Sequence, residues 1–252
     1  MAFPDWFDAK FGPYTRELYR DEIPRSGSQV EAISKLLGPP GEFPLLDLCC
    51  GWGRHAVPLA EKGYKVVGFD GCRYFLEQIP RTGCGSAKGS LSVVMGDMHE
   101  LPLKDNSFAA IIQMYTSFGY GTDPEDDMRV LQQVYRVLTD RGYYLIDLIN
   151  WSLARKVFNG TFQQQYPSFD MVENCQIVPG GNLLRIKRAL LFRDGRKAHI
   201  YEFEIRMFDA ETLSRLLTEA GFKVIGLWGD FDRSPYRPHR SYRMIVIAGK
   251  GV

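Results

Sequence analysis

The stretch Leu45-Leu46-Asp47-Leu48-Cys49-Cys50-Gly51-Trp52-Gly53-Arg54-His55 decides how this chain reads. An apolar start opens into glycines and continues into helix-forming sequence, Ala56 to Lys62. That order predicts a buried parallel strand, a tight turn, and a helix whose first amides face whatever occupies the turn. Gly51 and Gly53 permit positive φ and let a ligand approach the backbone without meeting a Cβ. A second apolar run, Tyr64 to Phe69, ends in Asp70, 17 residues past Gly53. A carboxylate closing the second strand of a βαβ unit at about that distance is placed to accept ribose hydroxyls. The motif predicts a nucleoside site.

Which nucleoside depends on the residues around the turn. Gly51-Trp52-Gly53-Arg54-His55-Ala56 also fits a dinucleotide pattern ending in alanine, which keeps an NAD-linked oxidoreductase as an alternative. Asp47 argues the other way. A pyrophosphate is an anion and needs no acid inside the first strand, whereas a cofactor with an ammonium group does. The segment Asp47–Asp70 resembles the first two motifs of class I S-adenosylmethionine (SAM)-dependent methyltransferases. Gly96-Asp97-Met98, after the apolar run Leu91–Met95, is similar to the third, and Phe108–Ile112, after the polar turn Lys104–Ser107, to the fourth. Cys49 stands where the family usually has the first glycine of the loop, and its small side chain predicts only a modest change there.

The resemblance covers roughly residues 43–150. It implies SAM as cofactor and S-adenosylhomocysteine as product. In its terms Asp47 serves the cofactor's ammonium, directly or through the turn formed by Cys49, Gly51 and Gly53. Asp70 takes the ribose and Asp97 the adenine amino group, with Gly96 and Met98 beside the ring. Gly71 and Cys72 are expected to line the adenosine. Arg25, just before Ser26-Gly27-Ser28, is a candidate partner for the methionine carboxylate, and His55 reads as structural.

Tyr115-Thr116-Ser117-Phe118-Gly119-Tyr120 leaves the fourth strand at the position that faces the methyl donor in this fold. It lacks the Asn/Asp-Pro-Pro-Tyr/Phe signature of amino-methylating DNA enzymes. It resembles instead a small-molecule branch with a Thr-Ser-Phe-Gly-Tyr loop, and Trp228–Tyr236 fits the same branch. Aromatic faces stabilise a sulfonium by ~0.5–2 kcal/mol each, which nominates Tyr115 for the cofactor and Phe118 for catalysis. Tyr14 and Tyr19 lie in the segment that commonly lids the site in this family and are candidates to orient the acceptor. Transfer by proximity and alignment is worth ~7–11 kcal/mol in favourable cases. An amine acceptor needs no strong base, while a hydroxyl needs one. No His-Asp arrangement announces itself, which tilts the reading toward an amine.

The 252 residues, 45% of them apolar and 24% charged, are ordinary globular values. A formal charge of +1 gives no overall basic field, so a small-molecule acceptor is expected rather than DNA or RNA. The local cluster Arg233, Arg237, His239, Arg240 and Arg243 keeps RNA as an alternative, and a SAM-binding protein without turnover is another. No apolar run approaches the ~20 residues that span a bilayer. Met1–Trp6 lacks the features of a signal peptide. Five cysteines, an odd count without paired metal spacing, predict free thiols, a reducing cytoplasm and no metal.

The β-α order predicts a doubly wound, mostly parallel seven-stranded sheet, and the resemblance makes its last strand antiparallel. Residues 1–42 form a helical lid in this reading, with Val30, Ile33, Leu36 and Leu37 at helical spacing before Gly38-Pro39-Pro40-Gly41. Residues 43–158 and 207–252 form the SAM-binding domain. A helix from Pro124 ends at Asp140-Arg141-Gly142, and Tyr143 to Ile149 is the fifth strand. Residues 159–206 break the pattern and predict a small inserted antiparallel sheet with strands at Val172–Val178, Leu183–Phe192 and His199–Met207. Asp194-Gly195 is its hairpin signal. Leu184, Ile186, Ala189 and Leu191 do not alternate cleanly with charge, which predicts a bulge. The insert is expected to shape the acceptor pocket or a homodimer contact.

Overall fold

The computed structural model describes residues 10–79, 89–121 and 123–251. Its central sheet has seven strands: β1 (Leu45–Leu48), β2 (Lys65–Asp70), β3 (Ser90–Met95), β4 (Phe108–Gln113), β5 (Leu138–Ile149), β10 (Lys223–Trp228) and β11 (Arg243–Gly249). They lie in the order β10-β11-β5-β4-β1-β2-β3. Strand β11 runs antiparallel to both neighbours, while the other six share one direction. The expected fold class is therefore observed.

Consecutive apolar residues serve opposite faces of this sheet, as a pleat requires. Leu46, Ile111 and Ile146 join one core, against α5 (Pro124–Val137) and α7 (Ala210–Glu219). Leu45, Ile112 and Leu145 join the other, against α2 (Ser26–Leu37) and α3 (Ala56–Glu61). Helix α5 starts where its sequence says, with Pro124 in the first turn and a reciprocal capping box between Asp123 and Asp126. It stops at Val137, earlier than the Asp140-Arg141-Gly142 signal. The fully buried Leu138 turns extended and pairs with Phe108, so sheet pairing overrides local propensity.

Four strands form the second sheet, in the order β6 (Gly160–Gln165), β7 (Phe169–Ile177), β8 (Leu183–Phe192), β9 (His199–Arg206). Strand β6 was not expected. Its Gly-Thr-Phe-Gln-Gln-Gln sequence has no apolar alternation because it is an edge strand with mostly exposed side chains. The bulge expected in β8 is absent: β7 and β8 pair in unbroken register from Phe169↔Phe192 to Ile177↔Leu184. The even residues of β8 form the inner face, and Arg188 occupies one of its positions, bonded to Glu173 and Tyr201. That buried arginine disguised the period-2 pattern.

The N-terminal segment docks on this second sheet. Tyr14 packs against Phe169 and Phe192, with ring centroids 5.7 and 5.0 Å away. Glu17 accepts from the Ser168 amide (2.6 Å), and Lys10 Nζ donates to the Ile200 carbonyl (3.2 Å). The loop after β4 is tied to the same sheet, because Arg206 N–H donates to Gly119 O at 2.7 Å. Gly119 has φ +98°, and a Cβ there would sit 2.2 Å from Arg206 O. Gly119→Ala should cost about 2–4 kcal/mol and lower Tm by on the order of 10 °C in thermal unfolding. An unchanged Tm would refute this tight approach.

Candidate active site

At the carboxyl ends of β1, β2 and β4 the chain encloses a cavity of about 400 Å³. This is the switch point at which open α/β sheets bind ligands. Cys49 (φ +62°), Gly51 (φ +57°) and Gly53 (φ +80°) all adopt left-handed backbone conformations. Cys49 thus keeps the conformation of the glycine it stands for, at ~1–2 kcal/mol. Its thiol lies 3.6 Å from Met98 Sδ and 3.9 Å from Ser117 O. Asp70, at the end of β2, accepts from the Gly51 amide and the Cys72 amide, both at 2.8 Å, and its carboxylate holds the glycine loop against the start of α4 (Arg73–Glu77).

Of the nominated residues, Tyr19, Cys49, Gly51, Asp70, Gly71, Gly96, Met98 and Tyr115 line the cavity. The others lie elsewhere. Phe118 is fully buried against Phe208, with centroids 5.1 Å apart, and is core rather than wall. Tyr14 is spent on the second sheet. Arg25 is exposed, pairs with Glu22 at 3.2 Å and is not among the residues that line the cavity. Arg54, passed over in the sequence, lines the cavity instead. Gly53 and Cys72 lie behind the wall, Gly53 against Val57 and Ile79. Asp97 opens onto a neighbouring hollow with Glu100 and Asp126. Burial pushes the Asp97 carboxyl up, but bonds from the His99 amide and ring outweigh it and hold the pKa below the usual value.

Asp47 is 1% exposed and sits under the loop, off the cavity surface. Neither carboxylate oxygen has a hydrogen-bond partner among the described residues. Burial pushes its pKa up to about 7, with Arg54 opposing and Asp70 reinforcing. An orphaned carboxylate beneath the glycine loop, an acid at the end of β2 and a wall rich in aromatic rings together fit a cofactor that carries an ammonium, a ribose and a sulfonium.

The aromatic wall is held by charge. Tyr115 and Thr116 follow β4 with φ +61° and +59°. The Tyr115 amide donates to Asp147 Oδ2 (3.0 Å), the Thr116 amide to Asp147 O (2.9 Å), and the Ile149 amide to Thr116 Oγ1 (2.9 Å). Asp147 is fully buried and is gripped by both Nε and Nη2 of Arg243. Arg243 and Arg54 lie 5.0 and 5.1 Å from the Tyr115 ring centroid. Tyr19 meets that ring edge-on at 5.0 Å and tilts toward Trp52 at 6.3 Å. Arg54 Nη1 also donates to Glu22 O, Ser26 Oγ and Gln29 Oε1. Gln29 Oε1 accepts from His55 Nε2 as well (2.9 Å), which fixes the His55 proton there. Burial, then Arg54 and Arg243, hold the His55 pKa well below 6.5. The basic cluster near the chain end loses a member here, since Arg243 belongs to this buried network. The signal for it was a lone Asp147 inside the apolar run Tyr143–Ile149.

Comparison with known proteins agrees with this geometry. Residues 45–142 match a family model described as "Methyltransferase domain". The chain is 26% identical over 216 residues to a glycine/sarcosine N-methyltransferase of Aphanothece halophytica, covering 83% of this chain and 77% of that protein. A SAM-dependent methyltransferase from Clostridium acetobutylicum ATCC 824 superposes with TM-score 0.77 at 17% identity over 95% of this chain and 96% of the other. A sugar N-methyltransferase from Streptoalloteichus sp ATCC 53650 gives TM-score 0.68 at 19% identity, covering 92% and 91%. The chain is a SAM-dependent methyltransferase of the class I, Rossmann-like kind. SAM is its cofactor. Among the described residues no helix is long and apolar enough to cross a membrane.

Two measurements test the site. Asp70→Asn should weaken SAM binding about 10- to 100-fold by calorimetry, through lost charge-assisted contacts of ~1.5–3 kcal/mol; unchanged affinity removes Asp70 from the site. Asp47 has a folded pKa of about 7 against an ordinary 3.8, so the native state holds the extra proton. Stability from this group is greatest below the unfolded value and falls as pH rises from about 4 to about 7. Asp47→Asn should flatten that loss, raising Tm at pH 8 by on the order of a few degrees relative to wild type. Parallel Tm–pH curves for the two proteins would contradict the buried-acid assignment.

Proposed function

We propose that this enzyme methylates the nitrogen of a small amine. The observation that carries the reading is that the described groups lining the cavity are committed elsewhere: Glu22 to Arg25, Asp70 to the Gly51 and Cys72 amides, and Glu202 and Glu204 to Arg185. Burial raises the pKa of Tyr19 and Tyr115 above the ordinary phenol value. His55 is neutral, but its Nε2 proton is committed to Gln29. An amine that arrives neutral keeps its lone pair free, so no side chain has to deprotonate it. A hydroxyl acceptor has no comparable route here. The N-methyltransferase names of the glycine/sarcosine and sugar relatives support the same choice.

When bound, SAM supplies an electrophilic methyl carbon on a sulfonium. In this reading Asp70 takes the ribose hydroxyls, and Asp47 favours the ammonium through the loop of Cys49 and Gly51. Arg54 takes the carboxylate in place of Arg25, while Gly96 and Met98 flank the adenine. Tyr19 and Trp52 present rings to the cationic centre, because Tyr115 is already engaged by two guanidiniums. Residues 10–25 and the second sheet close the acceptor side, with residues 43–158 and 207–252 as the cofactor unit.

The test is a panel of small amines and matched alcohols with SAM, read by release of S-adenosylhomocysteine. Amines should turn over with a rate that climbs with pH through the substrate's own pKa. Tyr19→Phe should leave kcat within about tenfold, since loss of a true general base costs ~10²–10⁴. Turnover of alcohols but not amines would overturn the assignment.

A further inference from the structure

The far wall of the cavity is the free edge of β9. Among the described residues this strand is last in its sheet and pairs on one side only, with β8. In an antiparallel ladder, a residue whose backbone groups do not meet the neighbouring strand turns both N–H and C=O to the other side. Two bonds fix which residues do so here. Arg206 N–H donates outward to Gly119 O, and Ile200 C=O accepts outward from Lys10 Nζ. Residues two apart share this orientation, so Glu202 and Glu204 direct their N–H and C=O off the sheet as well. Both line the cavity. The ends of the row are covered by protein, and the two middle positions have no backbone partner among the described residues.

Their carboxylates are engaged elsewhere. Arg185 reaches Glu204 at 2.7 Å and Glu202 at 3.6 Å from the neighbouring strand. The strand therefore offers the cavity its main chain. Proteins usually blunt or cover open edges, and one left open inside a ligand cavity is a template for an extended ligand. Its length is limiting: two residues of strand span roughly 7 Å, enough for one residue of an extended ligand. Phe203, between the two glutamates, stacks with Tyr120 at 6.2 Å, and Gly121 is a further lining residue.

We propose that the open edge of β9 binds the acceptor through one peptide-like residue, whose N–H donates to a β9 carbonyl and whose own C=O, part of the next amide, accepts from a β9 N–H. The acceptor is then an amine bearing a nearby amide, an aminoacyl amide or the N-terminus of a short peptide. A free amino acid fits worse, because its carboxylate would meet backbone carbonyls with no uncommitted cation among the described lining residues on that side. This assignment rests on the amine reading above but has its own readout, binding rather than turnover.

The test uses the full-length protein loaded with S-adenosylhomocysteine. The probes are glycylglycinamide and its depsipeptide analogue, in which an ester oxygen replaces the amide N–H. The amide should bind about five- to tenfold more tightly than the ester, the worth of one net hydrogen bond. Glu204→Pro removes an N–H that the ladder does not use, at an edge where proline is tolerated. It should weaken glycylglycinamide by a similar factor and leave S-adenosylhomocysteine affinity unchanged, while Glu204→Ala, which keeps the N–H, stays within about twofold of wild type. Equal binding of amide and ester overturns the proposal, and so does an alanine variant as weak as the proline variant. If Glu204→Pro loses S-adenosylhomocysteine binding, the amide–ester comparison on wild type decides alone. Tight amide binding without methylation would sink the amine reading and spare this one.

Discussion

The site depends on one buried carboxylate. Asp147 sits in the middle of an apolar strand with no exposure to water, and a lone charge there would be untenable. It is tolerated because Arg243 supplies a two-point grip from the adjacent antiparallel strand and the Tyr115 amide supplies a third bond. In return the carboxylate and its own carbonyl hold Tyr115 and Thr116 in a conformation that costs of order 1–3 kcal/mol per residue. The aromatic wall of the cavity is built outward from there. The Tyr115 ring meets Tyr19 and Arg54, and Arg54 ties the glycine loop to α2 through Ser26 and Gln29. Removing either partner leaves the other as an uncompensated buried charge.

The cofactor half obeys a different logic. Its determinants are backbone conformation and one carboxylate at each critical height. Cys49, Gly51 and Gly53 curve the loop; Asp70 pins it from the ligand side, and Asp47 lies beneath it, unpaired. The unpaired state of Asp47 is a cost, and in the proposed reading the cofactor's ammonium above the loop offsets it. Placing that acid below the loop, rather than on the cavity surface, spreads its field over the whole turn and keeps it out of reach of water.

The parts that were legible in the sequence are those governed by local rules. The glycine turn, the helix start at Pro124 and the end of β2 at Asp70 follow from short-range propensity and spacing. The central sheet could be read because its strands are predominantly apolar and separated by polar or glycine-rich turns. What escaped was set by long-range partners. Arg25 and Arg54 are equivalent as sequence, and only the docking of α2 decides that Arg54 turns inward. Phe118 sits in an aromatic loop but answers to Phe208, 90 residues later. Strand β6 has no pattern of its own because a neighbour supplies its order. Arg188 reads as a break in alternation until Glu173 is known to lie opposite it.

The way residues 10–20 dock has a consequence for biogenesis. Their partners are Gln165, Tyr166, Ser168, Phe169, Phe192 and Ile200, so contacts near the N-terminus close across 145 to 190 residues of chain. During synthesis the early strands can collect long before those partners emerge, since chains fold from the N-terminus as they are made. Residues 10–20 therefore find their place only after partners as late as Ile200 have been made. Until the second sheet is complete, the cofactor loop stands open on one side, and Tyr14 lacks the Phe169 and Phe192 rings it packs against. Closing so long a loop is slow, which makes this interval the nascent chain's most exposed stage.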